Sequence, residues 1–118
     1  MMTFALERRE GYAIARVEGL AALEGWMEVL PEMAKATRSA EATCLIIDIN
    51  GMVGFLGTPE RRRVGELAAV HLNHLKRVAL LVPPHKLTGV TEPAARAEGL
   101  DLRVFADAQQ ARDWLLEG

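Results

Sequence analysis

A single cysteine in 118 residues leaves no partner for an internal disulfide. Cys44 stands in the most apolar stretch of the chain, where a small buried thiol is the ordinary expectation rather than a reactive or metal-binding one. No apolar run approaches the roughly 20 residues of a membrane span. The opening MMTFALERREGY also lacks the basic segment followed by an apolar run that export requires, so a cytoplasmic location is expected. A basic excess is missing too: 14 Lys and Arg against 16 Asp and Glu give a net charge of -2, which argues against a general nucleic-acid binder. Internal repeats, low-complexity tracts and interdomain linkers are absent, which predicts one domain over residues 1–118. There is no Gly-x-Ser-x-Gly elbow, P-loop lysine motif, Cys-x-x-Cys pair or dinucleotide fingerprint. Nothing therefore names a reaction, and a non-catalytic protein without a cofactor is expected.

What is present is an ordinary globular balance, half hydrophobic and a quarter charged. Thr3 to Arg8 and Tyr12 to Glu18 alternate across Arg9-Glu10-Gly11, which predicts a hairpin. After Gly19, the residues Leu23, Trp26, Met27, Leu30, Met33 and Ala34 recur at helical spacing and predict an inward stripe. Pro31 inside it predicts a kink or two short helices meeting at Leu30, and Thr37 to Glu41 reads as a polar connection. Cys44 to Ile49 reads as a central strand buried on both faces, ended by Asn50-Gly51. Thr58-Pro59-Glu60 carries the order of a helix start, with Thr58 as N-cap of a helix running to about His74. Val64, Leu67, Ala68, His71, Leu72 and Leu75 form its predicted inward stripe.

Arg77 to Val82 reads as a buried strand stopped by Pro83-Pro84. After Leu87-Thr88-Gly89-Val90, Thr91-Glu92-Pro93 opens a short helix ending at Gly99, and Leu100 to Phe105 is the last strand. Asp107 caps a closing helix with Ala111, Trp114 and Leu115 inward. The order β-β-α-β-α-β-α-β-α predicts an α/β domain: a mixed, mostly parallel sheet of about five strands with about four helices and an antiparallel hairpin at one edge.

The hairpin ending near Val17-Glu18-Gly19, the strand Leu45 to Ile49 with Asp48, the spacing to Thr58, Gly99-Leu100, the strand to Phe105 and the closing DAQQARDWL together resemble the STAS superfamily. Its best-known members are bacterial anti-sigma factor antagonists of the SpoIIAA type. In those proteins an Asp-Ser-Ser-Gly sequence opens the helix after the central strand, and its second serine is phosphorylated by an anti-sigma kinase. An ungapped count from Asp48 puts Leu56, Gly57, Thr58 and Pro59 there, so Thr58 alone matches, as the one candidate phosphoacceptor. Pro31 and the closing helix look more like a STAS-like branch, fold-related to CRAL-TRIO lipid-carrier domains, that lacks the phosphoserine motif. That resemblance implies a small, non-enzymatic, often homodimeric protein.

In a parallel sheet, ligands gather where strand C-termini meet helix N-termini. That edge collects Asp48, Asn50, Thr58, Arg61, Arg62 and Arg63, followed by His85 and Lys86, as the candidate partner or anion site. Each has a plainer reading: Thr58 as a cap, Asp48 as a structural acid at a strand end, the arginines as solvation of a first turn. A second candidate is an apolar groove for a lipid or another subunit at Trp26, Met27, Leu30 and Met33. His71 and His74 lie three apart on one helix but lack further ligands in register, so no metal site is predicted. The leading expectation is a protein-interaction or regulatory module binding a protein partner or a second copy; the alternative is a carrier of a lipid or other apolar or anionic small molecule.

Overall fold

A computed structural model describes residues 1–87 and 89–117. Strands β1 (Met2–Arg9) and β2 (Tyr12–Leu20) form the hairpin, followed by helix α1 (Leu23–Ser39) and strand β3 (Cys44–Val53). Helix α2 (Thr58–Leu72), strand β4 (Arg77–Leu81), a 3-10 turn at Pro84–Lys86, helix α3 (Thr91–Ala97), strand β5 (Leu102–Phe105) and helix α4 (Ala108–Leu116) complete the order. The five strands lie side by side in chain order, β1 and β2 antiparallel and the remainder parallel. This is the architecture expected from the alternation of strands and helices. Thr88 of the predicted connection lies outside the described residues.

Strand order has a direct consequence for layering. Parallel strands laid down successively in one direction through right-handed crossovers put every crossover helix on the same face. Accordingly Ala13, Ala15, Val17, Leu45, Ile47, Val78, Leu80 and Leu102 point into one core with buried residues of α1, α2 and α3. The alternate residues Cys44, Ile46, Ala79 and Leu81 meet Ala111, Trp114 and Leu115 of α4 on the other face. The Cys44 thiol is buried, 3.8 Å from the Leu115 carbonyl oxygen. Asp107 caps α4 as expected, its carboxylate accepting from the Gln109 and Gln110 amides at 2.8 and 3.1 Å.

Several local expectations are corrected. β3 does not stop at Asn50-Gly51; it runs on to Val53. Three residues of β2, Arg16 to Glu18, lie opposite four of β3, Asp48 to Gly51, so the chain makes a β-bulge at Ile49-Asn50, opposite Val17, rather than a turn. The Asp48 carboxylate takes up the Asn50 amide at 2.9 Å there. Gly51 permits the close approach, since a Cβ at that position would lie 3.2 Å from the Val17 carbonyl oxygen.

α1 is one helix through Pro31 rather than two meeting at Leu30. A proline inside a helix removes one backbone bond at a cost of about 3 kcal/mol. Burial of Leu30, Met33, Ala34 and Thr37 on the surrounding turns offsets it. Met27 falls outside the inward stripe and is 51% exposed, while Val29 and Thr37 are buried in its place. The N-cap of α2 is Gly57, with no side-chain cap bond, so Thr58 is the first helical residue and not the cap. α2 ends at Leu72 rather than His74, and His71 is only half-buried. Likewise Val90, not Thr91, precedes α3, and β5 begins at Leu102.

Candidate functional site at the junction of β3 and α2

The segment from Gly51 to Gly57 interleaves glycines with apolar residues, and this pattern decides its shape. Gly54 takes φ +91°, a left-handed turn that side chains disfavour, and so reverses the chain at the end of β3. Met52 turns inward and is buried, whereas Val53 and Phe55 are left outside at 65% and 57% exposure. Leu20, at the end of neighbouring β2, is equally exposed, and a Cβ on Gly54 would lie 3.6 Å from its side chain. An apolar patch therefore caps the C-terminal ends of β2 and β3.

Basic side chains surround the Phe55 ring. The Lys86 ammonium lies 5.3 Å from the ring centroid and the Arg61 guanidinium 5.9 Å, both within cation–π range. His85 meets the ring edge-on, with centroids 5.7 Å apart. Lys86 also donates to the Met52 carbonyl oxygen at 3.1 Å, which ties the 3-10 turn to the end of β3. Under Phe55, Arg61 and Lys86 opens a recess of about 70 Å³, walled by Trp26, Ile49, Leu56, Val64, Leu80, Val82 and Val104 among others.

The other candidates from the sequence are distributed differently. Asp48 and Asn50 do not join this cluster. Asp48 belongs to the α4 side of the sheet, opposite Arg16 in register, where it lines a separate recess with Arg9, Tyr12, Arg16 and Arg112. Asn50 donates its side-chain amide to Asp48 at 2.8 Å. On that side Arg16 bonds the Glu7 carboxylate and holds its carboxyl below the usual range.

The three arginines diverge, as consecutive helical residues must. Arg61 faces Phe55; Arg62 borders a groove with Pro93 and Glu98 of the α3 region; Arg63 pairs with Glu66 at 3.2 Å. Thr58 is exposed beside them. Of the four residues expected to line an apolar groove, Trp26 lines the recess, Leu30 and Met33 are fully buried in the core, and Met27 projects outward.

His71 and His74 part company. His74 Nε2 and the Thr37 hydroxyl share a hydrogen bond at 2.9 Å, and the hydroxyl also lies 2.9 Å from the Met33 carbonyl oxygen. Burial, and secondarily the charge of Arg38, pushes the His74 pKa down. Among the described residues no cluster of three metal-ligating side chains occurs.

Phe55 was not signalled by periodicity, because it belongs to no helix or strand. The available signal was compositional: Met52, Val53, Phe55 and Leu56 are apolar residues in a glycine-rich connection, where polar ones are usual.

The layered sheet and this junction define an α/β domain presenting an apolar, cation-rimmed surface at its strand C-termini. The chain belongs to the SpoIIAA-like family, whose model matches residues 13–116. An anti-sigma factor antagonist from Mycobacterium paratuberculosis superposes with a TM-score of 0.63 at 17% identity, covering 98% of this chain and 94% of that one. The SpoIIAA anti-sigma factor antagonist in its unphosphorylated form gives 0.58 at 18% identity, with 96% of each chain covered. An uncharacterized DUF3478-family protein with a SpoIIAA-like fold, from Shewanella loihica PV-4, gives 0.54 at 22% identity over 97% of this chain and 93% of that one. No curated protein sequence matches the chain. Among the described residues, no helix is long and apolar enough to cross a membrane.

Proposed function

We propose that this chain is a non-catalytic regulatory module that works by binding a protein partner through the β3–α2 junction. The observation that carries the reading is Phe55, an exposed aromatic held between Arg61, His85 and Lys86 over an apolar recess. Aromatic and arginine side chains together are the groups that most often dominate protein interfaces. Two proteins of the same fold being anti-sigma factor antagonists supports a regulator rather than an enzyme.

The size of the recess favours a protein partner over a carried small molecule. Sites for drug-sized ligands enclose roughly 300–1,000 Å³, whereas about 70 Å³ suits a single side chain. Arg61, rather than the whole Arg61 to Arg63 run, is the arginine assigned to binding, since Arg63 is occupied by Glu66. Thr58 stands exposed at the border of this surface, where a phosphate added to its hydroxyl would sit at the α2 N-terminus and alter the charge a partner meets.

The test is native mass spectrometry of the freshly purified protein, alone and mixed with extract of its source organism, repeated for Phe55→Ser and for the Arg61→Ala/Lys86→Ala pair. The wild type should carry a protein-sized added mass that both variants lose while their circular dichroism is unchanged. A retained small-molecule mass that survives both substitutions would contradict it.

A further inference from the structure

Resting on the interaction reading of this junction, we infer that the partner presents an acidic segment carrying one aliphatic side chain between carboxylates. Charge is the first ground. Arg61 and Lys86 approach the same ring, and neither forms an ion pair among the described residues, although the chain as a whole is net negative. Arg9, Arg16, Arg63, Arg77 and Arg96 do have carboxylate partners, and other cations such as Arg62 and Lys76 have none among the described residues; what sets Arg61 and Lys86 apart is that both gather at one exposed aromatic ring. Two cations left without carboxylates around an exposed ring constitute a local positive site, and a guanidinium accepts a carboxylate in two-point geometry.

Shape is the second ground. The recess beside Phe55 is walled almost wholly by apolar groups and is of side-chain size, and Leu20 and Val53 extend that apolar surface outward at 61% and 65% exposure. Lys86 is tied by its bond to the Met52 carbonyl, which holds its part of the cationic rim beside the apolar floor before any partner arrives. An aliphatic side chain would enter the recess against Trp26 and Leu56 while flanking carboxylates meet Arg61 and Lys86. A basic segment would bring like charge to the same rim and be rejected.

The experiment uses three fluorescein-labelled synthetic peptides: a central leucine flanked by aspartates and glutamates, the same peptide with alanine at the centre, and the same peptide with every acid replaced by lysine. Fluorescence anisotropy at low salt measures their binding to the full chain. The acidic leucine peptide is expected to bind about ten-fold or more tighter than either control, and to weaken as salt rises. Phe55→Ser and Lys86→Gln should each reduce that binding about ten-fold, and Arg63→Ala should leave it unchanged. Equal binding of the lysine peptide, equal binding of the alanine peptide, or insensitivity to Phe55→Ser would overturn the inference. If the acidic peptide fails but a photoreactive side chain at position 55 still captures a protein, the partner chemistry is wrong and the docking surface stands. If both fail, both readings fall.

Discussion

Gly65→Ala sets two familiar effects against each other, and the structure decides which wins. Within a helix the exchange of glycine for alanine stabilises by about 1 kcal/mol, because it restricts the unfolded chain and improves helix propensity. Gly65, however, is where α2 and α3 touch. A Cβ there would lie 2.6 Å from the Thr91 carbonyl oxygen, 2.9 Å from the Ala94 Cβ and 3.0 Å from the Ala95 amide nitrogen. Two of these obstacles are backbone atoms, so α3 itself must move. Overpacking of this kind costs about 1–3 kcal/mol. Retreat of α3 also draws the Glu92 carboxylate away from the Val104 amide, which it now accepts at 2.9 Å on the outer edge of β5, a bond worth about 1 kcal/mol. The balance is a loss of about 1–3 kcal/mol, or a fall in Tm of roughly 4–12 °C for a domain of this size. Urea and thermal unfolding followed by circular dichroism measure it. A useful comparison is Gly25→Ala in α1, where the nearest obstacle is the flexible Met2 side chain and the change should stay within about 1 kcal/mol. A rise in Tm for Gly65→Ala would refute the reasoning.

Two further predictions follow from the corrected helix starts and from His74. Asp107→Ala removes two N-cap bonds and should cost about 1 kcal/mol, whereas Thr58→Ala, which removes no cap bond, should stay within about 0.5 kcal/mol; equal losses in chemical denaturation would contradict the assignment of Gly57 as the cap. His74 has a lowered pKa in the folded state, so the unfolded chain binds its proton first as pH falls. Its contribution is complete above the ordinary histidine value near 6.5 and is lost as pH drops below it toward the depressed folded pKa. Stability measured from pH 8 to pH 5 should therefore fall more steeply for the wild type than for His74→Gln, and parallel profiles would show that His74 is not responsible.

The architecture was readable because it rests on patterns that repeat. Short, uniformly apolar segments such as Arg77 to Leu81 can be satisfied only between two helical layers, and Asp107 followed by an amphipathic stretch can hardly be other than a helix start. Features that depend on a neighbouring strand were hidden. Nothing within Asp48-Ile49-Asn50-Gly51 says that β2 is one residue shorter opposite it, so a bulge reads as a turn. Pro31 argued for a break that the core packing of α1 overrides. The candidate site shows the same division. Arg61, His85 and Lys86 could be assigned to the strand C-terminal edge from element order alone. Alternation along β3 then sends Asp48 to the opposite face, and the residue that gathers the basic side chains, Phe55, carries no periodic signal.

The most direct test of Phe55 as the centre of a docking surface is photocrosslinking with a photoreactive amino acid at position 55, compared with the same group at Val70. Val70 is an apolar residue of α2 that is just as exposed, at 63%, but outside the recess and its basic rim. Position 55 should give a discrete protein adduct and position 70 none. Adducts of equal yield from both positions, or from position 70 alone, would contradict it.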